Sequence, residues 1–216
     1  MTMIDAVLWD FGGVLTTSPF EAFNRFEVER GIPTDFIRRI NATNPETNAW
    51  AQLESSAVSV HEFDVLFEAE SRAAGYSIRG QHVLDLLSGD LRPRMVSVLK
   101  QCKTKFKVAC LTNNVRSGEG PGMARTTDRA ARVQAVMDLF DVVLESSKEG
   151  IRKPNPAFYL RACERLGIEP RKAVFLDDLG INLKPAKDLG MTTIKVTSED
   201  QAIADLAKAL KVDFSF

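Results

Sequence analysis

The chain has 216 residues, of which 44% are hydrophobic, and its 28 basic side chains nearly balance its 29 acidic ones. This composition predicts one core with a smaller appended unit, and the lack of a long basic block argues against nucleic acid as a partner. No apolar run reaches the roughly 20 residues of a membrane span, and the N-terminal residues lack the pattern of a signal peptide. Cys102, Cys110 and Cys163 have no metal-type spacing and suit a reducing compartment. We therefore expect a soluble cytoplasmic protein, and its oligomeric state stays open.

Short apolar runs predict buried strands. The runs are continuous rather than alternating, which is typical of parallel strands covered on both faces. The predicted strands cover residues 4–10, 106–112, 141–146, 172–178 and 192–196. Helical patterns separate the later runs, and this alternation predicts an α/β fold with a doubly wound parallel sheet. A glycine-rich stretch at 116–122 predicts a flexible loop.

One interval interrupts the alternation of strands and helices. Residues 18–90 contain no convincing strand. Their amphipathic patterns predict helices at 19–31, 45–55 and 59–75. Ser59 and Glu62 have the spacing of a capping box at the start of the third helix. Because the interval directly follows the first strand, we predict a helical cap over 18–90 on a core formed by 1–17 and 91–216.

Polar side chains end three of the predicted strands. The residues at these ends are Asp10, Thr112, Asn113, Asp177 and Asp178. The carboxyl ends of parallel strands lie at one edge of a sheet, and ligands bind there where the strand order reverses. We therefore expect these distant residues to converge.

The residue types at this edge indicate phosphate chemistry. Two or three carboxylates without histidine or cysteine suit a hard cation such as Mg²⁺, which would offset the repulsion between them. A carboxylate such as Asp10 can attack phosphorus and form an acyl phosphate. The hydroxyl of Thr112, the amide of Asn113 and the charge of Lys153 would hold the phosphoryl oxygens. The sequence thus predicts a site for a phosphorylated small molecule.

Four segments resemble, in order, the motifs of the haloacid dehalogenase-like (HAD) hydrolases. They are LWDFGGVL with Asp10, CLTNN with Thr112, IRKPNPAFY with Lys153, and VFLDDLGINLKPAKDLGMTTIKV with Asp177 and Asp178. The last segment is similar to the N-terminal phosphatase domain of soluble epoxide hydrolases.

The resemblance implies a Rossmann-like core, a helical cap and a phosphatase acting on a small phosphorylated metabolite. Asp10 would be the nucleophile, with Thr112 and Lys153 as its catalytic partners. It also implies that Mg²⁺ is held by Asp10, the backbone carbonyl of Gly12 and Asp178. Asp177 would lie beside the metal or add a further ligand. From its spacing in the same segment, we expect Asn182 to brace this loop.

Gly12 departs from the family pattern, although Gly12 and Gly13 do permit a sharp turn near a ligand. Phosphatases of this family usually carry an aspartate at the position of Gly12, which protonates the leaving oxygen and later activates water. Such positioned acid–base catalysis contributes about 10²–10⁴-fold. Its absence favours a weaker phosphatase, a substrate with a good leaving group, or a proton donor from the substrate or cap.

Two alternatives remain open at this point. The 2-haloacid dehalogenases resemble the chain at the first motif, lack the same aspartate, and displace halide without a metal. A non-catalytic relative would bind a ligand and release no product. Asp177 and Asp178 argue against the dehalogenase, because adjacent acids near a reactive carboxylate raise one another's pKa when no cation is present. We therefore predict a Mg²⁺-dependent hydrolase.

Overall fold

The computed structural model describes residues 3–115 and 127–216, and these form a five-stranded sheet. The strands are β1 (Ala6–Trp9), β2 (Lys107–Thr112), β3 (Val142–Glu145), β4 (Ala173–Asp177) and β5 (Thr192–Lys195). Their order is β3-β2-β1-β4-β5, and the pairings are parallel. The predicted α/β fold with a doubly wound parallel sheet is therefore confirmed. The loop predicted at 116–122 lies outside the described residues.

Helices connect and cover these strands. They are α1 (Pro19–Glu29), α2 (Phe36–Ala42), α3 (Ala49–Glu54), α4 (Val60–Ala73), α5 (Gly80–Asp85), α6 (Pro93–Lys103), α7 (Thr127–Met137), α8 (Ser146–Glu149), α9 (Pro156–Leu166), α10 (Gly180–Asp188) and α11 (Glu199–Leu210), with a 3₁₀ turn at Pro170–Lys172. In the described parts of the chain, no helix is long and apolar enough to cross a bilayer.

The strands read as continuous apolar runs because both faces of the sheet are covered. Val7 and Trp9 of β1 join an apolar cluster with α6, α7 and α11. Ala6 and Leu8 of the same strand join a second cluster with α9 and α10. All four side chains are fully buried, so adjacent residues pack on opposite sides of the sheet. The central strand β1 is thereby fixed at the point where the strand order reverses.

Helices α1 to α5 form a separate apolar cluster between β1 and α6, and we call residues 18–90 the helical insert. Phe23, Phe36 and Phe63 are among its buried side chains. The expected capping box begins α4, where Ser59 Oγ accepts from the Glu62 amide at 3.2 Å and Glu62 Oε2 accepts from the Ser59 amide at 2.8 Å. The division into a core and a cap stays a prediction, and the separate cluster supports it.

The two connections between the sheet and the helical insert run side by side. Thr16 and Leu91 form an isolated antiparallel bridge, and the Thr17 amide donates to the Asp90 carbonyl at 2.8 Å. A Cβ at Gly89 would collide with the Thr17 carbonyl, so this close approach requires glycine. The helical insert therefore leaves and re-enters the core at one junction.

Candidate active site

Three carboxylates meet at the carboxyl edge of the sheet. Asp10 follows β1, and its amide donates to the Leu176 carbonyl at 2.9 Å, which continues the pairing of β1 with β4. Asp177 is the last residue of β4, and Asp178 follows it. One oxygen from each of these three acids lies within 4.8 Å of the others. The strand order thus brings together residues that are far apart in the sequence.

Lys153 lies among these carboxylates. Its Nζ is 2.9 Å from Asp10 Oδ1 and 2.7 Å from Asp177 Oδ2. The Lys153 side chain is 1% exposed and that of Asp177 is 0% exposed. Asn182 Nδ2 donates to both oxygens of Asp177 at 3.0 Å, and the Leu179 amide donates to Asp177 Oδ1 at 2.8 Å. Asp177 is therefore fixed on both of its oxygens, and Asn182 makes the expected bracing contact.

The charges at this edge are unbalanced. Burial raises the pKa of Asp10 well above its usual value, Lys153 opposes this, and Asp177 and Asp178 raise it further. Burial, followed by the charge of Asp177, raises the pKa of Asp178 to about 6. Burial alone would lower the pKa of Lys153, but the charges of Asp10 and Asp177 and their hydrogen bonds raise it overall. Among the residues that the structure describes, the ammonium of Lys153 is the cation paired with Asp10 and Asp177, and a divalent cation would offset the remaining negative charge.

The donor atoms fit a hard cation. Asp10, Asp177 and Asp178 offer carboxylate oxygens only, which is the ligand type that Mg²⁺ prefers. Both oxygens of Asp177 already accept hydrogen bonds from Lys153, Asn182 or a backbone amide, which favours a position beside the metal. Asp10 and Asp178 are therefore the carboxylates best placed to hold it.

The two glycines after Asp10 have different surroundings. Gly13 has a φ of +74°, and a Cβ there would collide with the carboxylate of Asp178, so only glycine allows this approach. A Cβ at Gly12 would meet no atom within 4 Å. The backbone at position 12 therefore leaves room for a side chain, although the sequence places none there.

Asn113 and Thr112 lie at the end of β2. Asn113 Nδ2 donates to the Lys153 carbonyl at 3.0 Å, and the Lys153 amide donates to Asn113 Oδ1 at 2.9 Å. Both ends of the Asn113 amide thus position Lys153, and its contact with a substrate stays a prediction. Thr112 is buried and pairs with Glu145 of β3. The phosphate contact predicted for Thr112 likewise stays a prediction.

A cavity of about 350 Å³ lies between this edge and the helical insert. Asp10, Gly12, Lys153 and Asp178 line its polar end. The remaining wall is largely apolar and includes Pro19, Phe20, Phe23, Trp50, Leu87 and Ile181. Most of these apolar residues belong to the helical insert, so the insert shapes the space next to the carboxylates.

Glu54 and Arg152 also line the cavity, and neither belongs to the predicted site residues. Arg152 Nη1 lies 2.5 Å from Glu54 Oε2, with 20% and 8% of the two side chains exposed. Burial raises the pKa of Glu54, and the charge of Arg152 opposes this rise. Arg152 adjoins the predicted Lys153, but the helical pattern around Glu54 gives no sign of its partner.

A larger cavity of about 1000 Å³ lies at the opposite edge of the sheet. Lys103 and Lys107 line it, and each donates its ammonium to a backbone carbonyl near a helix end, Leu139 and Leu166 respectively. Cations near helix C-termini offset the negative end of the helix dipole. The ammonium groups of Lys103 and Lys107 therefore have a structural role. Asp10 and Asp178 line the smaller cavity instead.

The family of the chain follows from a comparison with known proteins. The family model of the haloacid dehalogenase-like hydrolases matches residues 4–190. The chain belongs to this hydrolase family, which confirms the resemblance found in its motifs.

Several curated proteins are similar to the chain. Mouse acyl-CoA dehydrogenase family member 10 is 32% identical over 211 residues, which cover 95% of this chain and 19% of that protein. Pig bifunctional epoxide hydrolase 2 is 27% identical over 224 residues, which cover 96% of this chain and 39% of that protein. The chain thus spans less than half the length of both. A sesquiterpene phosphatase of Aspergillus oryzae is 23% identical, with 91% of each chain covered.

Solved structures share the fold. A HAD-like family hydrolase from Porphyromonas gingivalis has a TM-score of 0.62 and 23% identity, with 98% of this chain and 100% of that chain covered. A HAD family enzyme from Bacteroides thetaiotaomicron, in complex with magnesium and inorganic phosphate, has a TM-score of 0.57 and 20% identity, with 91% and 96% covered. At these identities the likeness concerns the fold alone.

Proposed function

We propose that the protein is a Mg²⁺-dependent phosphatase that hydrolyses a small phosphorylated metabolite. One observation carries this proposal: Asp10 lies beside Lys153 and two further carboxylates at the polar end of a cavity. A carboxylate can act as a nucleophile toward phosphorus, and a buried ammonium stabilises the negative charge of the phosphoryl oxygens. The similarity to the Aspergillus oryzae sesquiterpene phosphatase supports the same reaction class.

In the proposed first step, an oxygen of Asp10 attacks phosphorus, and the bond from phosphorus to the ester oxygen breaks. The product alcohol leaves with the electron pair of that bond and takes up a proton. In the second step water attacks the phosphorus of the aspartyl phosphate, and the bond from phosphorus to the Asp10 oxygen breaks. Inorganic phosphate is released, and the carboxylate of Asp10 is restored. Lys153 and the hydroxyl of Thr112 hold the phosphoryl oxygens, while Asn113 positions Lys153. Asp10, Asp178 and the Gly12 carbonyl would hold Mg²⁺, which would supply further positive charge to the phosphoryl group.

Gly12 limits the substrates that this mechanism serves well. Without an acid at this position, no side chain of residue 12 protonates the leaving oxygen. The first step is therefore fastest for esters whose alcohol is a good leaving group, and slower for simple alkyl phosphates.

The cavity wall bears on the organic part of the substrate. Phe20, Phe23 and Trp50 favour an apolar group next to the phosphate, because apolar surface gains free energy when it leaves water. We include a cytoplasmic location in the proposal, supported by three buried cysteines that form no disulfide. Nucleic acid and membranes are not part of it.

The test is turnover of a chromogenic phosphate ester by the purified protein, with Mg²⁺ and with a chelator. We expect release of the chromophore and phosphate with Mg²⁺, and loss of both after chelation. Halide release from 2-chloropropionate without metal would instead support the dehalogenase. Metal or ligand uptake measured by calorimetry, with no product at any pH, would support a binding protein. Either outcome would contradict the proposal.

A further inference from the structure

Arg152 joins the helical insert to the residue that follows it in the chain. Its Nη1 lies 2.5 Å from Glu54 Oε2, and its Nη2 donates to the Pro45 carbonyl at 3.4 Å. Its Nε donates to the Lys153 carbonyl at 3.2 Å. One planar guanidinium group thus contacts the helical insert at two points and the main chain of Lys153 at a third.

The Glu54–Arg152 ion pair is largely removed from water. The two side chains are 8% and 20% exposed, and Glu54 is the last residue of α3. When one partner of a buried ion pair is lost, the other is left as an uncompensated buried charge. The helical insert therefore cannot withdraw from the core without either separating these charges or displacing Arg152.

The main chain of Lys153 depends on few contacts. Its amide donates to Asn113 Oδ1, and its carbonyl accepts from Asn113 Nδ2 and from Arg152 Nε. At the other end of the residue, Nζ lies within 3 Å of both Asp10 and Asp177. A displacement of Arg152 would remove one of these supports and shift the ammonium, and small displacements of a catalytic group have large effects on rate.

We propose that Arg152 is a positioning residue that couples the placement of the helical insert to the placement of Lys153, with Glu54 as its anchor on the insert. The ammonium reaches its place beside Asp10 when the insert covers the cavity. The functional part of this inference rests on the proposed phosphatase activity, while the coupling itself can be measured without it.

The test compares Glu54→Gln, Arg152→Gln and the double variant with the unmodified protein. Steady-state turnover of the chromogenic ester with Mg²⁺ gives kcat and KM. Each single variant should lower kcat by about tenfold and change KM by less than about threefold. If Glu54 acts through Arg152, the double variant should match Arg152→Gln within about twofold. The proposal would be overturned if kcat of the double variant fell by the product of the two single-variant factors. An unchanged kcat in Glu54→Gln would also overturn it.

Hydrogen exchange provides the readout that needs no turnover. In Glu54→Gln we expect faster exchange both in α3 and in the segment 151–155, which includes the Lys153 amide. Faster exchange in α3 with an unchanged 151–155 segment would overturn the coupling. If the unmodified protein hydrolyses no phosphate ester, the proposed function fails, and the exchange result alone decides the coupling.

Two further variants separate coupling from general destabilisation. Asp64→Asn removes a buried carboxylate whose partner, Arg79, lies in the same insert. It should leave kcat within about twofold and leave exchange at 151–155 unchanged. Arg152→Lys retains a cation for Glu54 but lacks the Nε donor to the Lys153 carbonyl. Hydrogen exchange in α3 should therefore stay as slow as in the unmodified protein, while kcat should still fall. Arg152→Lys also replaces Arg152→Gln if that variant does not fold, and an unchanged kcat in Arg152→Lys would contradict the role of the guanidinium.

Discussion

At the scale of single residues, the chemistry of Asp10 depends on its neighbours. Lys153 lies 2.9 Å from it and stabilises its charge, whereas burial and two nearby acids oppose that charge. The Phe11 amide donates to Asp10 Oδ1 at 2.7 Å, which limits the directions in which the carboxylate can turn. The carboxylate is thus held in one orientation at the polar end of the cavity.

Replacing Asp10 by asparagine should abolish turnover and preserve the fold. The amide oxygen still accepts from the Phe11 amide, and the repulsion with Asp177 and Asp178 is removed, but an amide does not act as the nucleophile. Turnover with the chromogenic ester and thermal unfolding followed by circular dichroism check both parts. Substantial activity in a folded Asp10→Asn protein would assign the nucleophile to another group.

Gly12→Asp should increase kcat on phosphate esters of poor leaving groups by about tenfold or more, because it adds an acid near the leaving oxygen. The position has room, since a Cβ there meets nothing within 4 Å. Gly12→Asn is the matched control, with a side chain of similar size and no acid. We expect the gain for an alkyl phosphate and little change for a chromogenic ester. Equal kcat values for Gly12→Asp and Gly12→Asn on the alkyl phosphate would mean that another group protonates the leaving oxygen.

At the scale of elements, α1 and α3 place aromatic side chains over the carboxyl edge of the sheet. Phe20 and Phe23 come from α1, and Trp50 comes from α3, where it also packs edge-on against Phe63 with ring centroids 5.8 Å apart. Trp50 thus both packs within the insert and lines the cavity. The insert therefore builds its own core and one wall of the cavity with the same helices.

Phe20→Ala should raise KM for an apolar aryl phosphate by about tenfold, because it removes apolar surface from the cavity wall. Inhibition by inorganic phosphate should stay unchanged, since phosphate has no apolar part. Tyr76→Ala is the control, because Tyr76 packs on Phe36 and is not among the residues that line the cavity. If Phe20→Ala weakened the binding of the aryl phosphate and of inorganic phosphate equally, the variant would be disturbing the carboxylates rather than the cavity wall.

Among the helices of the described residues, α2, α5, α8 and α11 were not predicted from the sequence, for different reasons. Helix α2 begins after Asp35, which has a φ of 62° and makes no capping hydrogen bond, so it departs from the usual N-cap geometry. Its Ile37 amide instead donates to Glu27 Oε1 of α1 at 2.8 Å, and this contact forms only when the two helices pack together. Helix α5 also has no side-chain cap, and α8 has four residues. Helix α11 does begin with a capping box, formed by Ser198 and Gln201, but it follows the last predicted strand and so lies outside the strand–helix alternation.

At the scale of the whole molecule, the sheet could be predicted because its central strands β1, β2 and β4 are buried and largely apolar. The convergence of Asp10 with Asp177 and Asp178 followed from one rule about parallel strands, and motif order added Lys153. The Glu54–Arg152 pair could not be predicted, because it depends on how the insert packs against the core. Contacts within one strand or helix leave a pattern in the sequence, whereas contacts between separately packed units leave none.

The three thiols should be unreactive while the protein is folded. All three are buried, and burial raises the pKa of Cys102 to about 12 and that of Cys163 to about 11. Burial also raises the pKa of Cys110 above its usual range. Because the thiolate is the reactive form, Ellman's reagent at pH 8 should react only after unfolding, with all three cysteines. Rapid labelling of the native protein would contradict this placement of the cysteines.

The paired connections at Thr16 and Leu91 have a consequence for how such a molecule can diversify. The chain leaves the core and returns to it at two adjacent segments, which a hydrogen bond between Thr17 and Asp90 joins. An insert of another size or shape can therefore replace this one with little disturbance to the strands. A chimera that carries a relative's insert between Thr17 and Asp90 should acquire the donor's preference for the organic group. It should retain the full rate only where the new insert supplies an acid that binds Arg152 as Glu54 does.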